Sequence, residues 1–278
     1  MKEIERLVSS IEKKEKLVAM LAPCFVAQFD YPEIIGQLKR LGFDKVVELT
    51  FGAKIVNRKY HEILEKNKGL WISSVCPGVV ETIKKRMPQY EKNILKVYSP
   101  MIVTAKVCKK VYPKHKIAFI SPCEFKKTEA KITKDVDIAI GMTELQELFD
   151  KYNILPKKSK KDESFDMFYN DYTKIYPIAG GLSKTLHTKG ILKPEETKKI
   201  DGMAEILKFL KNPDKRVRFL DVTFCIGGCI GGPLLTREIS LEEKKKRVIE
   251  YVKQSLHKSI PKGKLGKFKE AKGIKITY

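Results

Sequence analysis

At 278 residues, with 42% hydrophobic and 32% charged residues, the chain can bury a sizeable core as one large or two closely packed α/β units. No apolar run approaches the ~20 residues of a membrane span, and the charged start MKEIERLVSSIEKKEK lacks a signal-peptide pattern, so a cytoplasmic protein is expected. The net charge of +22 is spread along the chain rather than gathered in one arm or interleaved with aromatics, which argues against nucleic acid and for a Lys-rich surface able to dock acidic electron carriers.

In chain order, buried strands are predicted at KLVAMLAP (16–23), KVVELTF (45–51), LWISSVCP (70–77), KIAFISPC (116–123) and DVDIAIG (135–141). Amphipathic helices are predicted at 31–41, 56–67, 79–94, 99–111 and 143–152. Strands alternating with helices predict a parallel sheet. The polar, lysine-heavy segment NILPKKSKKDES predicts a lobe boundary or surface loop near 153–165, with helices to follow at 179–188, 194–211 and 240–257. The expected division is a main domain over 1–235 and a C-terminal helix with a basic tail over 236–278, the end of that tail being loop-like or loosely docked.

Six cysteines in a chain without export signals point to metal or redox chemistry before disulfides. Open α/β sheets bind ligands outside the carboxyl ends of their strands. Cys24, Cys76 and Cys123 each follow a predicted strand, beside a proline that stops it. One such cysteine is ordinarily a small buried apolar residue; three together weaken that explanation. In TFCIGGCIGGPLL (223–235), Cys225 and Cys229 are separated by three residues and surrounded by four glycines, a spacing that lets both thiolates face one site. The glycines permit close approach of backbone to a bulky ligand and are expected to offer N–H groups to sulfides. Thiolates from distant parts of a chain can hold a cubane iron-sulfur cluster. Four cysteines also suit zinc, though zinc leaves the glycines unexplained. The expected architecture is therefore α/β, two lobes with parallel sheets flanked by helices and a metal cluster in the cleft at the strand C-terminal ends.

The segments SSVCPGV (73–79), SPCEFKKTE (121–129) and TFCIGGCIGG (223–232) resemble the three signature segments of the FeFe-hydrogenase active-site domain. TFGAKIV (50–56), YSPM (98–101), VDIAIGMTELQELF (136–149) and IAGGL (178–182) agree as well, in the family's order. The resemblance implies that Cys76, Cys123, Cys225 and Cys229 hold a 4Fe-4S cluster, Cys229 also bridging to a diiron subcluster with CO, CN and a bridging dithiolate. Lys126 matches the lysine that hydrogen-bonds a cyanide of that unit, and Glu129, three residues on, would hold Lys126 if the turn is helical. Pro23 and Cys24 match a segment lining the diiron pocket, Cys24 offering a thiol for proton exchange, and Ser99 with Pro100 matches a second lining pair. Cys108 matches nothing in the family, and its helical, Lys-flanked context predicts a packing role.

Several positions depart from the family. Val75 replaces the cysteine that passes protons to the diiron unit, Tyr60 and Ile63 stand in two carboxylate positions, and Leu95 stands in a serine position. Ser121 and Thr223 replace methionines, and Val79 replaces the tryptophan of the first segment. Such losses resemble divergent, sensory branches of the family. A hydrogenase-like iron-sulfur protein of low turnover is expected, serving a sensory or redox-regulatory role. The alternative is a protein that holds only the cubane, for electron transfer or iron-sulfur assembly. No ferredoxin-like Cys-rich module is recognised in the sequence. The implied partners are accordingly a ferredoxin-like electron carrier or a fused redox or signalling domain, together with hydrogenase maturation proteins, and neither nucleic acid nor membrane.

Overall fold

A computed structural model describes residues 2–157, 163–167, 172–256 and 268–278. The chain begins with helix α1 (Glu3–Glu12), then β1 (Leu17–Leu21), α2 (Glu33–Leu41), β2 (Lys45–Glu48) and α3 (Thr50–Lys66). All five residues of β1 are buried, as a parallel strand covered on both faces requires. The short β3 (Trp71–Ile72) leads into α4 (Pro77–Arg86), and α5 (Pro100–Val111) follows. Both helices open on proline, whose missing N–H costs nothing at a helix start. Next come β4 (Lys116–Ser121), α6 (Glu124–Thr133), β5 (Ile138–Gly141) and α7 (Met142–Lys151). The short α8 (Gly181–Thr185), β6 (Thr197–Asp201), α9 (Met203–Lys211), β7 (Phe219–Thr223) and α10 (Leu241–Leu256) complete the order.

The strands form two parallel sheets, one of four strands in the order β2-β1-β4-β5 and one of three in the order β3-β7-β6. The larger sheet carries the main core, in which Leu17, Met20, Phe119 and Ile140 are at most 1% exposed. The smaller sheet has its own core of Ile72, Leu220 and Val222 against Val79 and Ile83 of α4 and Ile206 and Leu210 of α9. Two parallel sheets with separate cores and flanking helices are the two-lobed α/β architecture expected. Within the larger sheet β1 and β4 are neighbours, and within the smaller β3 and β7 are neighbours. These are the four strands whose C-terminal ends run into Cys24, Cys123, Cys76 and Cys225.

Several local expectations change. The helix predicted at 194–211 is a 3₁₀ turn (Pro194–Glu196), the strand β6 and then α9. Gly202, at φ 86°, breaks the run, and β6 is an edge strand whose Lys198 and Lys199 are exposed, so it lacks an apolar alternation. The helix predicted from 56 starts six residues earlier, at Thr50. The helix predicted over 79–94 stops at Arg86, because Pro88 opens a 3₁₀ turn. Neither α1 nor β7 is among the elements predicted from the sequence.

Of the connection expected at 153–165, residues 158–162 lie outside the described residues. Its described end is docked, not a free surface loop: Phe165 is fully buried, and Asp166 exchanges hydrogen bonds with Val46 of β2. In the C-terminal tail, 257–267 lie outside the described residues, while Thr277 bridges Val97 and Tyr98 N–H donates to the Ile276 carbonyl. Among the described residues no helix is long and apolar enough to cross a membrane.

Candidate metal centre

Cys24, Cys76, Cys123 and Cys225 each follow a strand, while Cys229 lies in the glycine-rich loop after Cys225. Cys76 caps α4 and Cys123 caps α6, both with extended backbone, so each side chain sits where strand gives way to helix. Ser121 fixes Cys123 from both sides, its hydroxyl accepting the Cys123 N–H at 3.1 Å and donating to the Cys123 carbonyl at 2.6 Å. The Thr223 hydroxyl makes a longer contact, 3.4 Å, to the Cys225 carbonyl. A hydroxyl two residues before a cysteine thus recurs in Ser74-Val75-Cys76, Ser121-Pro122-Cys123 and Thr223-Phe224-Cys225. That spacing is the sequence signal for Ser121 and Thr223, which the family resemblance shows only as lost methionines, whereas the Ser74 hydroxyl turns to Val97 and Tyr60.

The loop from Cys225 to Gly232 turns on glycines. At Gly228, φ is 86° and an added Cβ would stand 2.5 Å from the Pro177 carbonyl oxygen. At Gly232 it would collide with the Pro122 carbonyl, so only glycine lets this loop close against the segment that carries Cys123. The Gly227 carbonyl accepts Ala179 N–H at 3.1 Å, and Ile178 bridges Gly228, which ties IAGGL to the cysteine loop. The glycine amides do not stand free for sulfides as expected. Gly227 N–H donates to Asp201, Gly228 N–H to the Cys225 carbonyl, and Gly232 N–H to the Cys229 carbonyl.

The four thiols face one another electrostatically. Cys225 is pushed up to about 11, first by desolvation and then by the sulfurs of Cys76 and Cys123. Cys229 is pushed higher still by desolvation and by the sulfurs of Cys76, Cys123 and Cys225, against the pull of the Lys126 ammonium. Cys123 is raised by burial, with Lys126 opposing. Cys123, Cys225 and Cys229 are thus held as neutral thiols in the metal-free protein, and binding a cationic centre would be coupled to the release of their protons. Among the described residues no three thiols, imidazoles or carboxylates approach closely enough to hold a single metal ion. Cys76, Cys123 and Cys229 line one cavity wall, with Cys225 two residues beyond Thr223 of the same wall, and thiols are the donor type that an iron-sulfur cluster takes.

Beside the thiols lies a cavity of about 100 Å³. One water needs only ~10–15 Å³ on this measure, so the space exceeds a packing defect. Its wall includes Pro23, Cys24, Val75, Cys76, Pro100, Cys123, Lys126 and Cys229. Apart from thiols, Lys126, Tyr176 and Thr223, the described wall is apolar. Cys229 is accessible where it lines this cavity, while the dense protein around it disfavours its charged form. Cys24 is fully buried, its thiol held well above the ordinary range by desolvation and by the nearby Cys229 and Cys123 sulfurs. Lys126 donates to the Val75 carbonyl at 3.1 Å and to Glu129 Oε2 at 2.7 Å on the same turn of α6, the two side chains only 13% and 15% exposed. Glu129 also accepts the Ser99 hydroxyl at 3.0 Å, so Ser99 serves this carboxylate and is not itself among the lining residues. Cys108 is fully buried within α5, away from this wall.

Of the positions that the resemblance aligns with a proton relay, Tyr60 is hydrogen-bonded and Ile63 and Leu95 are packed apolar side chains. Tyr60 is fully buried, its phenol raised by burial, and its hydroxyl bonds to the hydroxyl and backbone N–H of Ser74. Leu95 is 1% exposed, and Ile63 packs against the main core.

Comparison with known proteins identifies the family and the fold. The family model described as iron only hydrogenase large subunit, C-terminal domain, matches residues 15–233. Iron hydrogenase 1 of Clostridium pasteurianum is 25% identical over 72% of this chain and 44% of its own length. The cytosolic Fe-S cluster assembly factor NAR1 of Kluyveromyces lactis is 33% identical over 34% of this chain and 22% of its own. The chain thus spans less than half the length of these curated relatives. Among solved structures, the [FeFe]-hydrogenase HydA1 of Chlamydomonas reinhardtii aligns with a TM-score of 0.66 at 15% identity, covering 90% of this chain and 88% of that one. A second [FeFe]-hydrogenase structure aligns with a TM-score of 0.71 at 13% identity, covering 94% and 91%. At such identities the structures establish the fold, while the match over residues 15–233 establishes the family: this chain belongs to the family of C-terminal domains of iron-only hydrogenase large subunits.

Proposed function

We propose that this chain is the cluster-binding domain of a divergent FeFe-hydrogenase, which binds hydrogen reversibly with low turnover in a sensory or redox-regulatory role. Cys76, Cys123, Cys225 and Cys229 would hold the 4Fe-4S cluster, and the adjoining cavity would receive the diiron unit. When bound, these groups supply the hydrogen-binding metal chemistry and the route for electrons. The observation that carries the reading is Lys126, a cation on an otherwise largely apolar wall beside Cys76, Cys123 and Cys229. A compact ammonium with three donors suits an anionic ligand in a closed site, and two of its donors are already oriented by Val75 and Glu129. Low turnover follows from Val75, Ile63 and Leu95, which carry no exchangeable side-chain proton where one must pass. Electrons would come from a ferredoxin-like carrier or an attached redox or signalling domain, and the diiron unit from the hydrogenase maturation proteins. A cytoplasmic setting suits both.

The test is infrared spectroscopy after anaerobic coexpression with the maturation proteins. Carbonyl and cyanide bands are expected in the wild type, and Lys126→Ala should weaken or shift them while keeping the 4Fe-4S absorption. Losing a charged donor to a buried anion costs about 1.5–3 kcal/mol. Absent bands with an intact cubane would favour the second reading, a cubane-only protein of electron transfer or iron-sulfur assembly. That reading draws support from the closed Tyr60–Ser74 network and the NAR1 likeness.

A further inference from the structure

We infer that Asp201 is a positioning residue for the cysteine loop and sets the reduction potential of the cluster that Cys225 and Cys229 would hold. The inference rests on the cubane reading above.

Asp201 ends β6, paired in register with Thr223 of β7, two residues before Cys225. Its Oδ2 accepts the Gly227 N–H at 2.6 Å, a short charge-assisted bond. The next residue, Gly202, donates its N–H to the Thr223 carbonyl at 3.1 Å, which holds the carboxylate at this strand end. On the other side, the Gly227 carbonyl accepts Ala179 N–H at 3.1 Å. Gly227, midway between the two cysteines, is therefore clamped at both its N–H and its carbonyl. Gly227 stands at φ 79°, a conformation few other residues adopt, so the clamp fixes a turn that must hold its shape for both thiolates to face one site. Ile226, 72% exposed, is the thin outer cover of this turn, and a Cβ on Gly202 would lie 3.4 Å from its Cγ1.

Cluster potentials respond to net charge, to hydrogen bonds on the sulfurs and to solvent exposure. Asp201 acts on two of these. Its negative charge lies against the loop that carries two ligands, and it occupies an amide N–H that could otherwise have pointed at a sulfide. Each disfavours the added electron, so Asp201 holds the potential down.

The experiment compares wild type, Asp201→Asn, Asp201→Ala and Asp214→Asn after anaerobic reconstitution with iron and sulfide. Midpoint potentials are read by electron paramagnetic resonance, and cluster loss is timed in EDTA. Asp214 pairs with Arg216 ahead of β7, at the other end of that strand, and serves as the control. Asp201→Asn keeps an acceptor for Gly227 N–H and removes the charge. It should favour the reduced state by about tenfold, ~59 mV for one electron, with cluster loss near the wild-type rate. Asp201→Ala should raise the potential and also lose its cluster several-fold faster, while Asp214→Asn should match the wild type. A potential in Asp201→Asn no higher than in Asp214→Asn overturns the potential-setting role. Gly227 amide exchange, measured by NMR in the cluster-free protein, judges the clamp separately: equal protection in wild type and Asp201→Ala overturns it. A wild type that takes up no cluster would overturn the cubane reading and the potential-setting role with it, leaving the clamp to stand or fall on the exchange data.

Discussion

The Tyr60 hydroxyl accepts the Ser74 backbone N–H at 2.6 Å and lies 2.8 Å from the Ser74 hydroxyl, which donates to the Val97 carbonyl at 2.7 Å. Since the Ser74 proton is engaged on Val97, Tyr60 donates to the Ser74 oxygen. The chain of hydrogen bonds ends on a backbone carbonyl, which accepts but passes nothing on. On the proposed reading, the Tyr60 hydroxyl therefore carries no proton onward to the site. In the matured protein, Val75→Cys alone should leave hydrogen evolution within a few-fold of wild type, since Ile63 and Leu95 remain apolar gaps. Tyr60→Phe should leave turnover unchanged and lower stability by about 1–3 kcal/mol, because the buried Ser74 N–H loses its acceptor. Gas chromatography of evolved hydrogen, with denaturant unfolding on the same samples, checks both. Loss of turnover in a stably folded Tyr60→Phe would make Tyr60 a proton carrier.

At Gly52, α3 lies close against α5. A Cβ there would collide with the Thr104 hydroxyl and the Pro100 carbonyl, which are themselves joined by a 2.7 Å hydrogen bond. Gly52→Ala should therefore destabilise the fold by about 1–3 kcal/mol despite alanine's better helix propensity. Because Pro100 lines the cavity, the same change should also lower the yield of bound diiron unit in the matured protein. Urea denaturation reads the first effect and infrared band intensity the second. A stabilised Gly52→Ala would mean that the two helices have room to part.

Asp30 joins the C-terminal helix to the segment before it, accepting from Arg247 of α10 and from Arg237. Partial burial alone would raise its carboxyl, but the two guanidinium groups outweigh this and hold it below the ordinary value. Its folded pKa thus lies below its unfolded one of ~3.9. The stability it contributes is present above the unfolded value and is lost as pH falls through the folded one. Asp30→Asn should lower the melting temperature at pH 7, and the gap to wild type should narrow as pH falls below about 4. A gap constant from pH 7 to pH 2 would show that the charge is not what matters.

What the sequence makes legible is whatever depends on short runs. An apolar strand stopped by proline shows in KIAFISPC, where Cys123 follows β4, whereas in LWISSVCP only Trp71–Ile72 is strand and Cys76 caps α4. Strand β7, by contrast, carries the buried Asp221, whose carboxylate accepts Ser183 N–H at 2.9 Å. A charged residue in a five-residue strand hides the pattern until its distant partner is known. Edge strand β6 is hidden by its exposed lysines. At the site, Lys126 and Glu129 can be paired from helical spacing alone, whereas the bond from Ser99 to Glu129 spans thirty residues and only the fold brings it together. Asp201 is hidden for the same reason, lying far before Gly227 in sequence but beside it through the β6–β7 pairing.

Anaerobic reconstitution of the wild type and of single Cys→Ala variants, read as iron and acid-labile sulfide per chain, tests the central claim most directly. Four thiolates converging on one site predict about four irons and four sulfides per wild-type chain. They predict severe loss in the variants at Cys76, Cys123, Cys225 and Cys229, and full content in Cys108→Ala, whose thiol is buried in α5 away from the cavity. Wild-type content of one iron or fewer, or a requirement for Cys108 with Cys123 dispensable, would contradict the account.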